Sequence, residues 1–518
     1  MNLKIHQETT NQTINIILDT LKLNKQALVF ASTKSSAEKT AEDISKKIKG
    51  VELNELSESI KNCLSKPTKQ CERLATCIKR GIAFHHAGLV TEQRRIVEDG
   101  FRNGTIKIIC CTPTLAYGLD LPAYRTVIKD LKRYGYRGYA WIPVLDYMQM
   151  SGRSGRPKYD TEGQAICLAQ TEAEKDEILN KYVLGEPETI DSKLAVEPVL
   201  RTYILSLISA NFISTKEQII KFFEKTFWAF HFKDMDKLII IIEKMLHLLE
   251  EWEFIVSSQN QDFASADEII EQKYRATLIG KRVAELYVDP FSANFIMTCL
   301  KRAKHYKTIR SFPLLQLISH TNELRPFLRA RQKDYEIVQE MLLKFGDLLL
   351  DKEPSMYDID YEDFLDSIKT AVVFDEWISE EDEETILEKY NVRPGELRAK
   401  IERADWMLYS TEEIARLMKE LSIITEIKKI RMRLRYGVKE ELLPLIRLEG
   451  IGRARARKLY FNGIKDISDV KKSDLVKLVQ ILGDKLAHSI KKQVDENIKP
   501  IASGKRKGQI SIEDYGDE

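Results

Sequence analysis

The sequence predicts a multidomain chain of α/β plus α class, in which a parallel α/β domain is followed by helical blocks. Three observations carry this. The chain has 518 residues, too many for one hydrophobic core, a length that suggests roughly three to five domains. Over the first 185 residues, strand-like apolar runs alternate with amphipathic stretches, the pattern of a parallel sheet flanked by helices. After "GEP" (185–187) the period turns helical and strand signals become rare.

The sheet is read in order. "QALVFAS" (26–32) is a short apolar run, followed by a polar amphipathic stretch from Lys34 to Lys49. "GIAFHH" (81–86) precedes another, Thr91 to Asn103, and "IKIICCT" (106–112), "RTVIKDL" (125–131) and "GQAICLA" (163–169) complete the strands. Within "LKRYGYRGYAWIPV" (131–144), strand-like residues flank a Gly/Tyr/Arg-rich turn, a β-hairpin with Tyr134, Tyr136 and Arg137 at its tip. Block 186–289 fits a winged helix, a helix set followed by a short wing around "ATLIGKRVAEL" (276–286). Helical blocks at 290–424 and 425–500 follow, then a polar, flexible tail over 501–518.

Composition narrows the class. With 43% hydrophobic and 31% charged residues the chain reads as soluble and globular, and runs such as "LIIIIE" (238–243) are too short to cross a bilayer. No signal peptide opens the sequence, and the seven cysteines form no C-x-x-C pair, so reduced thiols in a cytoplasmic protein are expected. The net charge of +2 hides an asymmetry: residues 351–390 carry 15 acidic and 3 basic side chains, residues 425–507 carry 10 and 22. The basic end is a candidate polyanion surface.

Three stretches in the α/β region occur in a telling order: "FASTKSSAE" (30–38), "CTPTLAYGLDLPAYRTVI" (111–128) and "QMSGRSGRP" (149–157). Loops at strand carboxyl ends form the ligand edge of such sheets. All three are expected on that one side, presenting Ser32, Thr33, Thr112, Thr114, Asp120, Gln149, Arg153 and Arg156. Hydroxyls and backbone amides suit phosphates, and guanidiniums suit a transferring phosphoryl group.

These residues resemble motifs IV, V and VI of superfamily-two helicases. "FHHAGLVTEQRRIVEDGFRNG" (84–104) and "TPTLAYGLDLP" (112–122) are close to the Ski-like group, and the whole chain looks like the archaeal Hjm-type, HELQ-related DNA-repair helicases. The resemblance implies a second RecA-like domain over 1–185, a winged helix, a helical ratchet domain and a helix-hairpin-helix domain. It implies a 3′-to-5′ motor on single-stranded and forked DNA, with Arg153 and Arg156 as catalytic fingers. Gln149, Gly118 and Asp120 then face ATP, His86 joins Ser32, Thr33, Thr112 and Thr114 on DNA, and the 131–144 hairpin is a strand-separating wedge. Lys34 stands where arginine is common and Asp120 where asparagine is frequent, which leaves an RNA helicase of the same group as an alternative.

A motor also needs a G-x-x-x-x-G-K-S/T loop and a D-E-x-H box for magnesium. Neither occurs in these 518 residues, and "FDEWI" (374–378) lacks the histidine. ATP and Mg2+ are therefore expected to sit mainly on a first RecA-like domain carried by a separate or missing polypeptide, and the chain alone is expected to be inactive. A non-catalytic nucleic-acid scaffold is the other reading. Burial of Arg153 and Arg156 in intramolecular ion pairs would count against the motor.

Two further segments carry chemistry. In "PGELRAKIERADWMLYS" (394–410), Leu397, Ile401, Ala404 and Leu408 form one apolar stripe, and Trp406 falls opposite it. The resemblance suggests a ratchet helix in which Trp406 and a basic residue, Arg398, Lys400 or Arg403, engage single-stranded DNA. Packing of Trp406 against a neighbouring domain is the alternative. "LIRLEGIGRARARKLYFNGI" (445–464) has helix-hairpin-helix form, with Gly450 and Gly452 in a tight turn and Arg453 and Arg455 beside a phosphate-binding helix start. In the tail, Gln509, Ile512 and Tyr515 weakly resemble a sliding-clamp-binding peptide.

Overall fold

The computed structural model describes residues 5–64, 66–135, 138–156, 160–194, 196–232, 235–258, 273–306 and 309–495. The chain forms two compact units, Met1–Ile190 with Glu383–Arg398, and Asp191–Asp382 with Ala399–Glu518.

The first unit is built on the five predicted strands: β1 (Ala27–Phe30), β2 (Ile82–His85), β3 (Ile108–Cys111), β4 (Arg125–Ile128) and β7 (Gln164–Cys167). All pair in parallel, in the order β2-β3-β1-β4-β7, with Val29 registered between Cys110 and Val127. β1 to β4 are buried along their whole length, which is why β1 and β3 read as unbroken apolar runs. Cys110 and Cys111 are core residues whose thiols burial pushes far above their ordinary range, and burial raises Cys77 to about 12. Arg125 is a fully buried charge on β4, and its guanidinium is satisfied by Gln164, Asp19, Thr20 and the Ile16 carbonyl.

The expected hairpin is present as β5 (Lys132–Gly135) and β6 (Gly138–Trp141), antiparallel, with Lys132 Nζ 4.0 Å from the Trp141 ring centroid. Tyr136 and Arg137 lie outside the described residues, as do the tail and its Gln509, Ile512 and Tyr515.

In the second unit, helices Glu197–Ser209, Lys216–Phe223 and Met235–Glu251 precede a two-stranded antiparallel ribbon, β8 (Ile255–Ser257) with β9 (Tyr274–Ala276). The wing expected at "ATLIGKRVAEL" is thus displaced. Only Ala276 is strand, and Leu278–Leu286 is a helix. Thr277 caps it by accepting the Gly280 N–H, and Gly280, Val283 and Leu286 are buried at helical spacing. Gly280 is needed there because a Cβ would lie 1.9 Å from the Phe254 carbonyl oxygen.

Helices follow to the end, among them Tyr361–Ile378, which contains "FDEWI", then Pro394–Leu417 and Leu421–Tyr436. Residues from Val438 to Val494 have their own core, with Leu445, Ile451, Leu459, Leu478 and Ile490 at its centre. No helix among the described residues is long and apolar enough to cross a membrane.

Candidate nucleotide and nucleic-acid interface

The carboxyl edge of the sheet collects hydroxyls. β1 leads into Ser32, whose backbone N–H and Oγ both donate to Asp130 Oδ2, at 3.0 and 3.2 Å, just past β4. Thr33 caps the helix Lys34–Ser45, its Oγ1 accepting the Ser36 N–H. After β3, Thr112 and Thr114 bond through their hydroxyls at 2.8 Å, and Thr114 is exposed. Ser32, Thr33, Thr112 and Thr114 therefore follow two adjacent parallel strands. Asp130, which orients Ser32, was missed by sequence reasoning; its only signal was an acid directly after a strand.

The arginine loop joins that edge only in part, which corrects the expectation that all three motifs share it: Arg153 reaches the Ala116 carbonyl after β3, but the residues that follow lie where strands begin. Ser154 bridges to Ala123, and Gly155 N–H donates to the Ala123 carbonyl, at the start of β4. Arg156 Nη1 reaches Gln26, immediately before β1. The reason is connectivity. A strand that joins a parallel sheet must be preceded by a return crossover. The helix Val144–Ser151 makes that return, so the loop after it lies where strands begin.

Of the two guanidiniums, Arg153 donates through Nε (3.1 Å) and Nη2 to the Ala116 carbonyl and has no carboxylate partner among the described residues. Arg156 is held by Asp160 in a bidentate pair, Nε–Oδ2 2.6 Å and Nη2–Oδ1 3.1 Å, and its side chain is 17% exposed. Arg156 and Lys25 together draw the Asp160 carboxyl below its ordinary range, the Arg156 bond being the larger cause. Half of the adverse test is met: Arg156 sits in an internal ion pair and Arg153 does not. Gln149, Gly118 and Asp120 are exposed, and Gly118 adopts φ 74°, a left-handed turn that glycine supplies freely.

His86 is not a surface contact. Its ring stacks on Phe84 with centroids 5.6 Å apart, Nδ1 accepts the Gly88 N–H, and Nε2 lies 3.0 Å from Glu38 Oε1. At 1% exposure it is closed to DNA. Burial pushes its pKa down and keeps the ring neutral. Against that same burial, the His86 bond and the Arg393 charge hold the Glu38 carboxyl well below its usual range. Glu38 went unnoticed because its partner Arg393 is 355 positions away.

The Pro394–Leu417 helix carries the expected stripe, with Leu397, Ile401, Ala404 and Leu408 all buried. Its flanks are not bare, however: Met407 and Tyr409 are buried too, and on the far side Trp406 is half-buried with its indole N–H donating to the Leu286 carbonyl at 3.1 Å. Lys400 is excluded as a DNA partner. It is buried, and its Nζ donates to the Leu324 and Pro326 carbonyls. Arg403 donates to the Arg325 carbonyl, whereas Arg398 keeps 42% side-chain exposure beside Glu92 and Glu383 at 3.7 and 3.9 Å.

In the C-terminal region Gly450 turns at φ 84° and Gly452 caps the helix Arg453–Phe461 without a side-chain bond. Arg455 Nη1 braces the Gly450 carbonyl at 2.8 Å, while the Arg453 guanidinium lies 5.1 Å from the Trp377 ring. Arg457 is committed to Glu380 and Glu441. Among the described residues no group of three or more His, Cys, Asp or Glu side chains could hold a metal ion.

Comparison with known proteins fits this layout. The family described as Helicase conserved C-terminal domain matches residues 9–158, Archaeal helicase, domain 4, matches 312–437, and SAM-like helix-hairpin-helix tandem matches 442–496. The chain is 36% identical over 513 residues to the ATP-dependent DNA helicase Hel308 of Pyrococcus horikoshii, covering 97% of this chain and 68% of that protein. The chain belongs to the Hel308 family. Hel308 of Methanocella arvoryzae is 37% identical over 494 residues, 93% of this chain and 65% of the relative, and that of Methanococcus vannielii is 35% identical over 518 residues, 93% and 67%. The chain thus spans about two thirds of the length of these Hel308 proteins.

Proposed function

We propose that this chain is the strand-tracking part of an ATP-dependent 3′-to-5′ DNA helicase that acts on single-stranded and forked repair intermediates. The observation that carries the reading is the set of hydroxyls at the carboxyl ends of β1 and β3, which can grip successive phosphates without reading sequence. Arg455 and the helix start at Gly452 add a second backbone grip. Trp406 and Arg398 lie on one helix, where a base can stack against the indole face while its N–H stays on Leu286.

ATP and Mg2+ are held mainly by a polypeptide segment bearing the phosphate loop, which these 518 residues do not contain. Arg153 faces the γ-phosphate of that nucleotide, and Arg156 joins it by exchanging Asp160 for phosphate oxygens. Arginine in this position stabilises charge on the transferring group and is worth orders of magnitude in turnover. The test is to combine the chain with a first RecA-like domain and measure ATP turnover with single-stranded DNA. DNA-dependent turnover is expected, with Arg153→Ala lowering it about a thousandfold at unchanged DNA affinity. Tight assembly without turnover, or full turnover by Arg153→Ala, would sink the reading. Competition by RNA in the same assay separates the RNA-helicase alternative.

A further inference from the structure

The segment Glu383–Arg398 belongs to the sheet unit although the chain around it belongs to the other. Its anchor is Glu38, 3% exposed, which accepts from Gln70 Nε2 and His86 Nε2 at 3.0 Å, Arg73 Nη1 at 2.8 Å and Arg393 Nε at 3.1 Å. Arg393 Nη2 also donates to Ser35 Oγ at 3.1 Å, and Lys34 pairs with Glu396. Lys34 and Ser35 directly follow Ser32 and Thr33, the hydroxyls assigned to the tracked strand.

The backbones meet as well. Gly395 N–H donates to the Gly88 carbonyl at 3.0 Å, and a Cβ on Gly395 would lie 2.3 Å from the Leu89 oxygen and 2.6 Å from the Ala87 oxygen. A Cβ on Gly88 would lie 2.3 Å from Arg393 Cδ. Gly395 thus admits a backbone approach that a side chain would block, and Gly88 leaves room for the Arg393 side chain as it is placed. The planar guanidinium spans two acceptors on one element and fixes rotation as well as distance, which a lysine ammonium does not. What it fixes is the first turn of Pro394–Leu417, the helix whose later turns carry Trp406 in the second unit.

We propose that Arg393 is a positioning residue which, with Gly395, ties the first turn of the Trp406 helix to the helix Lys34–Ser45 that follows β1 and to the turn at Gly88 that follows β2, so that stepping of the sheet unit along DNA drives that helix. This rests on the motor reading. Loss of the tie lets the sheet unit hydrolyse ATP without moving the helix, so the consequence is uncoupling rather than inactivity.

Two measurements decide it. In the chain alone, hydrogen exchange over residues 394–398 is compared for the wild type, Arg393→Met, Arg393→Lys and Gly395→Ala. Arg393→Met is expected to exchange about tenfold faster there, Arg393→Lys less so, and Gly395→Ala to open the turn sterically with the charges intact. Exchange equal to wild type in all three would overturn the tie. In the reconstituted motor, Arg393→Met is expected to keep DNA-dependent ATP turnover and to lose roughly threefold to thirtyfold in base pairs opened per ATP. An unchanged ratio, or a loss of turnover in proportion to unwinding, overturns the coupling role. If the wild-type mixture shows no turnover, the motor reading fails and the exchange result still decides whether the tie exists.

Discussion

The sheet of the first unit and the Pro394–Leu417 helix are both deeply buried, but they bury different things. β1 to β4 place mostly aliphatic and aromatic side chains in the core, among them Leu28, Val29, Phe84 and Ile109. The helix also buries Lys400, Ser410, Thr411, Glu412 and Glu413. Each polar group there has a named partner: Glu413 takes Arg282 Nη2 at 2.6 Å, and Glu412 takes Arg431 Nη1 at 3.2 Å and Arg416 Nη2 at 3.0 Å. Buried polar groups persist only when paired. Apolar burial is therefore visible in one segment of sequence, whereas polar burial depends on a second segment that the first does not reveal.

Arg125 breaks the contrast from the sheet side, being a fully buried charge among apolar strands. If the pairing rule holds, Arg125→Met leaves Asp19, Thr20 and Gln164 without their donor and costs about 3 kcal/mol. A fall of several degrees in the melting temperature checks this, and a neutral result would mean that the sheet is indifferent to this charge.

On the helix side, Trp406→Phe keeps an aromatic ring, smaller than the indole, but removes the N–H bonded to Leu286. It should lower stability by about 1 kcal/mol and leave most single-stranded DNA affinity, whereas Trp406→Ala should lose both. Titration of fluorescent single-stranded DNA alongside thermal melts separates the packing and stacking roles of the indole.

The smallest effect concerns pH. The His86 pKa is depressed by burial, so its contribution is present above the unfolded value of 6.5 and is lost as pH falls towards the folded value. Glu38 is depressed as well, and its contribution is lost only below its unfolded value of 4.5. Melting of the wild type should therefore soften as pH falls below the ordinary histidine value of 6.5, before Glu38 titrates. His86→Gln should flatten that first slope, and an unchanged slope would assign the acid sensitivity to other groups.

Much of the sheet unit was legible. All five strands, the hairpin and the helices at Lys34–Ser45 and Thr91–Arg102 follow from apolar runs, the amphipathic stretches between them and a Gly/Tyr/Arg-rich turn. The hydroxyls at the carboxyl edge were legible for the same reason, since each follows a strand. The arginine loop was partly misplaced because it follows a crossover helix, and loop order along a chain does not say which edge a loop occupies. The wing was misplaced because "ATLIGKRVAEL" mixes β-branched residues with a helical period, and the Thr277 cap decided between them.

What the sequence by itself determined is the passage from an α/β region to a helical one, the strands, and membership in a helicase family with a helix-hairpin-helix end, because these rest on local periodicity and on short motifs. Tertiary structure alone decided that Arg156 is spoken for by Asp160, that His86 and Lys400 are interior, and that Glu38 holds Arg393. The reason is physical: a charged side chain is active or structural according to which opposite charge comes within hydrogen-bond reach, and folding brings that partner from far along the chain.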